Sequence, residues 1–462
     1  MKVLIFILTY FSLNILNAQN IQRWNIDFIE NGKLLKYPTA GGLNSPQFNE
    51  ADLNHDGIQD LVVFDRAGDL LRTFINHGSP NKIDYTFEPQ YIDNFPTNLK
   101  FWFLLKDYNK DGAADIFAYS DIPGISGIIV YKGFYDNNQL KFKRVLLNQD
   151  TYNVLYFPTN DNKKGQVHVS SEDYPDINDI DNDGDLDIVT FASQGGYVYL
   201  YSNQSVESGF GSDTLLYKLT DYCWGKFYEK GENEYVSLSA NNTDCSKGFT
   251  ADTISRDGKH VGSTLLTLDM DNDGDKEIIL GDISFPSIGM LTNGGTKDLA
   301  WMTAQEPFFP TKHVSAIVYT FPATFYLDVN NDQKKDLIVA PNAINASDDV
   351  DCNWLYLNSG ITNKPVFKLN SKTFLNEEMV DWGSGAYMTF GDINADGLQD
   401  LLIGTEGSYL KNEGFRDIRM VYYKNIGTLS NPKFELADSN YLNIIGFKRV
   451  YFSCLPNIWG FR

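Results

Sequence analysis

Basic residues, histidine, cysteine and long apolar runs are all scarce in this 462-residue chain. Only 38 Lys and Arg stand against 60 Asp and Glu, a formal net charge of −22. Phosphate binding needs a basic surface that releases counterions, so the balance argues against a nucleic-acid partner. It suits a cation-binding or soluble extracellular protein. With five His and four Cys, and no His near a Cys in sequence, the cysteines read as structural rather than catalytic. Past the N terminus no stretch reaches the roughly 20 apolar residues that a membrane span requires, so the protein is not expected to be integral to a membrane.

The apolar run at the N terminus, shorter than a span requires, belongs to a segment with the three parts of an export signal. Lys2 gives the positive start, Val3 to Leu13 the apolar run, and Leu16-Asn17-Ala18 a small residue for cleavage before Gln19. Residues 1–18 are therefore expected to be a signal peptide, with the mature protein, residues 19–462, secreted or at the cell surface. Thiols pair in such oxidising surroundings. Cys223 and Cys245 lie close enough in sequence to staple their segment, whereas Cys352 and Cys454 have no evident partner.

Aromatics, glycine and proline are plentiful: 27 Tyr, 31 Phe, 37 Gly and 16 Pro. That mixture favours many short strands joined by turns, an all-β protein. Self-similarity then appears as one nine-residue pattern occurring six times. The first two copies run Asp52, Asn54, Asp56, Gly57, Asp60 and Asp107, Asn109, Asp111, Gly112, Asp115. The next two run Asp179, Asp181, Asp183, Gly184, Asp187 and Asp269, Asp271, Asp273, Gly274, Glu277. The last two run Asp328, Asn330, Asp332, Gln333, Asp336 and Asp392, Asn394, Asp396, Gly397, Asp400.

The spacing suits Ca2+. Oxygen side chains at positions 1, 3 and 5 of a tight loop converge on one centre, Gly at position 6 allows the sharp turn, and a backbone carbonyl at position 7 adds a ligand. An acid at position 9 closes the shell. A hard cation with six to eight oxygen ligands fits better than magnesium, which keeps its waters, or zinc, which prefers nitrogen and sulfur. The alternative is an acidic turn holding no metal, but six copies of clustered carboxylates would repel themselves without a cation. An EF-hand is excluded because its position-12 Glu is replaced by Val63, Ala118, Thr190, Leu280, Val339 and Ile403. A calcium β-roll would repeat every nine residues; these copies are 55 to 90 residues apart.

An apolar run follows every loop: Leu61 to Phe64, Ile116 to Tyr119, Ile188 to Phe191, Ile278 to Leu280, Leu337 to Ala340 and Leu401 to Ile403. These read as buried strands. A second, aromatic strand comes next, such as Tyr197 to Tyr201 or Met420 to Tyr423, and usually ends at Asn. Two repeats continue with a shared frame, Tyr356-Leu-Asn358-Ser-Gly360 to Phe367 and Tyr423-Lys-Asn425-Ile-Gly427 to Phe434. It reads as a turn and an outer strand starting at Pro, which edge strands tolerate. Four antiparallel strands per unit, in tandem, describe a β-propeller blade.

On these motifs the chain resembles the FG-GAP and VCBS repeat family of secreted bacterial proteins, similar to the calcium-binding propeller of the integrin alpha subunit. The resemblance implies six complete four-stranded blades plus an incomplete seventh, with a calcium loop between the first two strands of each blade. Gln333 in place of Gly and Glu277 in place of Asp depart from the pattern. A non-Gly residue in the left-handed conformation costs about 1–2 kcal/mol, so the fifth loop should be the weakest.

An insertion at about residues 205–260 carries the aromatic cluster around Trp224 and Phe227, and is expected to be a disulfide-stapled flap. Its aromatics could instead stack on sugar rings. Two functions remain open: a non-enzymatic scaffold for adhesion or for binding an extracellular glycan or protein, or a propeller-type polysaccharide lyase. The lyase would need a base, for which His168, His260 and His313 are candidates, each read first as structural. At the C terminus, permitted codons for Phe452 to Arg462 can be chosen so that losing one T gives Phe-Pro-Ala-Phe-Pro-Ile-Phe-Gly-Asp-Leu. That resembles the approach to a seventh loop, so the tail is expected to be frameshifted. The N-terminal strand around Trp24 to Tyr37 would then lack its ring-closing partner.

Overall fold

A computed structural model describes residues 26–147, 152–161, 163–247, 264–344 and 346–444. Among them the chain forms five four-stranded antiparallel sheets and a six-stranded one, in which four antiparallel strands are extended by an N-terminal pair, in a β-propeller-like arrangement. The first sheet takes Pro46–Ala51, Asp60–Asp65, Leu70–Asn76 and Tyr85–Phe87, and the second Phe103–Lys106, Asp115–Tyr119, Ile128–Asp136 and Gln139–Arg144. The third has Asp176–Asn178, Asp187–Phe191, Val198–Asn203 and Tyr217–Asp221, and the fourth Thr264–Leu268, Glu277–Gly281, Ile288–Asn293 and Met302–Glu306. The fifth has Pro322–Leu327, Asp336–Pro341, Trp354–Asn358 and Phe367–Ser371; the sixth has Tyr387–Gly391, Asp400–Thr405, Arg419–Asn425 and Lys433–Asp438. The apolar run after every loop is the second strand of a sheet. In the first five sheets it is apolar on both faces because neighbouring sheets cover both.

Sheets pack face to face. One apolar cluster joins the first and second sheets, another the third and fourth, and another the fourth and fifth. Polar side chains stitch the first strands together. Asn49 Oδ1 accepts the Leu105 N–H at 2.9 Å, Asp176 Oδ2 accepts the Thr267 N–H at 2.7 Å, and Thr264 Oγ1 donates to the Pro322 carbonyl at 2.8 Å. The fifth sheet meets the first directly: Phe325 lies 5.5 Å from Phe48, Lys335 Nζ is 2.6 Å from Glu50, and Ser45 Oγ donates to Ala343 at 2.7 Å. The first strands of these five sheets surround a cavity of about 550 Å3.

The sixth sheet stands outside that cavity. Met388 and Phe390 on its first strand are 67% and 55% exposed, since the contact between sheets one and five leaves no gap for it. Its core is a separate cluster formed with Phe28 and Leu35. The expectation of an unpartnered N-terminal strand is corrected here. Asp27–Glu30 pairs in parallel with the outer strand of the sixth sheet, Phe28 opposite Phe434. Phe28 also packs on Tyr423, which gives the strand an apolar anchor the sequence did not advertise. The signal segment, the tail from residue 445 and Cys454 lie outside the described residues.

Candidate metal loops

Each nine-residue pattern forms the connection between the first and second strands of a sheet. Two left-handed residues make the turn. Position 6 has φ between 85° and 108° at Gly57, Gly112, Gly184, Gly274 and Gly397, and 66° at Gln333, so the fifth loop does carry the strained side chain expected of it. Position 4 is left-handed as well in all six copies, at His55, Lys110, Asn182, Asn272, Asn331 and Ala395. This was hard to foresee from the residues, because only three of them are Asn.

Position 9 is a brace. Asp60, Asp115, Asp187, Glu277, Asp336 and Asp400 are each no more than 1% exposed. One carboxylate oxygen accepts the N–H of position 2, at Leu53, Tyr108, Ile180, Met270, Val329 and Ile393, at 2.7–3.2 Å. The other accepts an N–H near the end of the third strand, at Asn76, Gly133, Asn203, Asn293, Asn358 and Asn425, at 2.7–3.3 Å. The strand-ending Asn then turns its own amide to the next hairpin: Asn358 Oδ1 accepts from Gly360 and Val366, and Asn425 Oδ1 from Gly427 and Lys433. The sequence showed these Asn residues recurring without revealing that task. In the second sheet Gly133 replaces Asn, because a Cβ there would meet the Ala114 carbonyl oxygen at 2.1 Å. Burial pushes Asp60, Asp115 and Asp336 up to about 7 and Asp187 to about 8, with neighbouring loop carboxylates adding to the rise.

The remaining ligand positions fall into two groups. In the first, second, fifth and sixth loops position 3 is Asn, and the position-1 carboxylate accepts the N–H groups of positions 5 and 6. Asp52 takes them at 3.1 and 2.8 Å, Asp392 at 3.0 and 2.9 Å. Asn54, Asn109 and Asn394 donate to the position-5 carboxylate at 2.8–3.0 Å. In the third and fourth loops position 3 is Asp, and the carboxylates crowd. Oxygens of Asp179, Asp181 and Asp187 lie within 4.8 Å of one another, as do those of Asp269, Asp271 and Asp273. Asp181 and Asp183 also group with Glu207, which the sequence pattern did not include. Asp179 Oδ1 and Asp183 Oδ2 are buried with no hydrogen-bond partner. Oxygen-only donor sets with orphaned buried oxygens are what a hard cation such as Ca2+ satisfies, so the residues fit the metal.

The other sequence candidates scatter. Cys223 and Cys245 form the disulfide, with Cα atoms 6.0 Å apart, and Cys352 is buried with a free thiol. Trp224 and Phe227 are buried in the cluster between the third and fourth sheets, so that part of the insertion packs as a flap, while Tyr222 and Tyr235 are exposed. His168 sits in a β-bridge with Gly127. His313 borders a cavity of about 260 Å3 with Glu306 and Lys312, and His260 lies outside the described residues. Among the described residues no helix is long and apolar enough to cross a membrane.

No protein-family model matches the chain, and no curated protein does. Among solved structures it is similar to a lectin of Agrocybe aegerita studied for recognition of non-reducing terminal N-acetylglucosamine, at 18% identity and a TM-score of 0.31, over 85% of this chain and 79% of that one. It is also similar to the Photorhabdus luminescens Tc holotoxin pore, at 12% identity and a TM-score of 0.29, over 85% of this chain and 15% of that one. Scores this low carry no functional argument.

Proposed function

We propose that the chain is a secreted or cell-surface β-propeller of the FG-GAP and VCBS kind. Calcium in its loops holds a rigid scaffold that binds an extracellular glycan or protein and performs no catalysis. In this reading the five sheets around the central cavity make the ring and the sixth sits beside it. The observation that carries the reading is the position-9 brace, which ties every candidate metal loop to two strands of its own sheet. An ion in the loop would then stiffen the sheet. When bound, the ion supplies positive charge to the clustered carboxylates; the chain supplies the ligands at positions 1, 3, 5 and 9.

The test is the full protein assayed for binding to an array of glycans and for thermal melting, with calcium and with chelator. Calcium-dependent binding together with a fall in melting temperature on chelation supports the reading, and melting curves that coincide sink it. One observation favours a polysaccharide lyase instead: His313 is exposed beside a cavity that also presents Glu306, Lys312 and Lys364, a base with cations to neutralise a substrate carboxylate. Unsaturated product from acidic polysaccharides, abolished by His313→Ala, would establish that alternative.

A further inference from the structure

We infer a cation site outside the nine-residue loops, where Glu229 of the flap faces Asp282 of the fourth sheet. Asp282 follows Gly281, the last residue of its strand, whereas the fourth loop leads into Glu277, the first. The two sites are therefore at opposite ends of the same strand.

Glu229 is 4% exposed, Asp282 6%, and Asp173, just before the first strand of the third sheet, 2%. The backbone holds the pair in place: the Glu229 N–H donates to the Gly196 carbonyl at 2.9 Å, and the Ser284 N–H donates to Asp282 Oδ1 at 2.5 Å. The Glu229 and Asp282 side chains line the same small cavity. As carboxylates both groups are acceptors, and Glu229 Oε2 is buried with no donor. Two acceptors pressed together away from water need a positive charge between them.

The neighbouring bases are committed elsewhere. Lys226 Nζ is 2.6 Å from Asp221 Oδ2. Arg66 donates to the carbonyls of Asn342 and Ser171, lies 3.7 Å from Glu172 and is balanced by Glu172 and Asp173 rather than by Glu229. Burial together with Asp282 and Asp173 pushes Glu229 well above the usual carboxylate range, and no basic group opposes the rise. Beside the pair is a cavity of about 20 Å3, bordered also by Glu234 and Ser287. A space of about 10–15 Å3 holds one water-sized occupant. Carboxylate and hydroxyl oxygens, with the amide of Asn233 and no imidazole or thiol, select a hard divalent cation. Bound there, it ties the flap to the seam between the third and fourth sheets.

The competing occupant is a proton shared between the two carboxyls. Crystals of the full chain grown with Mn2+ distinguish them by anomalous scattering. A cation site gives a peak between Glu229 and Asp282 that Glu229→Gln and Asp282→Asn each remove, with one Mn2+ fewer bound per chain. No peak at the pair in the wild-type map overturns the proposal, whether or not the six loops are filled. The wild-type map decides the matter even if neither variant folds.

Discussion

The third and fourth loops and the other four share one backbone turn but differ in what they do without a metal. In the first loop Asn54 offers its amide to Asp56, and Asp52 takes the two N–H groups of the turn, so the side chains of Asp52, Asn54 and Asp56 all have partners. Asp181 in the third loop has no amide to give, and the buried oxygens of Asp179 and Asp183 are left without donors. One exchange of nitrogen for oxygen thus separates a turn that closes on itself from one whose crowded carboxylates could hold a cation.

Chelation of the whole protein should have the largest effect. Each well-filled site contributes up to about 4 kcal/mol at a thousandfold excess of metal over its Kd. The melting temperature should therefore fall by about 10 °C or more, with magnesium a poor replacement. Amide exchange should rise first in residues 176–203 and 264–293, around the third and fourth loops. Earlier loss around the first or sixth loop would break the contrast.

Separating brace from ligand sharpens it. Asp187→Ala removes a buried acceptor of two backbone bonds and should cost about 3 kcal/mol in chelator, and more in calcium because position 9 is also a ligand. Asp183→Ala should be costly in calcium and nearly silent in chelator, as read by paired denaturant curves. Asp181→Asn should then make the third loop behave like the first. We expect the metal-free protein to gain about 1 kcal/mol while calcium affinity at that loop falls about tenfold, measured by calorimetry. Unaltered metal-free stability would count against the repulsion argument.

Acidity supplies another lever once metal is removed. The position-9 acids sit near 4 when unfolded, whereas burial takes Asp60 up to about 7 and Asp187 to about 8 in the fold. A raised folded value means that these groups stabilise the metal-free protein fully below about pH 4, and that the contribution is lost as pH rises through 7 to 8. Chelated protein should accordingly be more stable near pH 5 than near pH 8 by urea titration; the opposite slope would contradict the burial of the brace. The smallest effect belongs to Gln333→Gly, which relieves the left-handed side chain and should add about 1 kcal/mol or less. No gain would remove the reason for ranking the fifth loop last.

The second strands and the loops were legible in the sequence because both are local: an apolar run of three or four residues, and five positions of a turn. Asp60 was visible as a ligand but not as a brace, since its partner Asn76 comes from the far end of another strand. Glu207 was invisible for the same reason: it reaches the third loop from the turn after the third strand. The displacement of the sixth sheet was harder still. Tyr387–Gly391 reads like any other first strand, and only the direct contact of Phe48 with Phe325, far apart in sequence, decides that it lies outside the cavity.

The parallel pairing of Asp27–Glu30 with the strand Lys433–Asp438 bears on how the molecule would resist a mechanical load. Tension between the two chain ends would pull these strands in opposite directions along their length. Their backbone hydrogen bonds would then be strained together in shear, as would the 3.2 Å Lys433–Asp27 ion pair and the Phe28 side chain lodged against Phe434. An antiparallel closure would open one bond at a time, like a zip. The clasp sits at the sixth sheet, so a tug would reach it before the five sheets around the cavity.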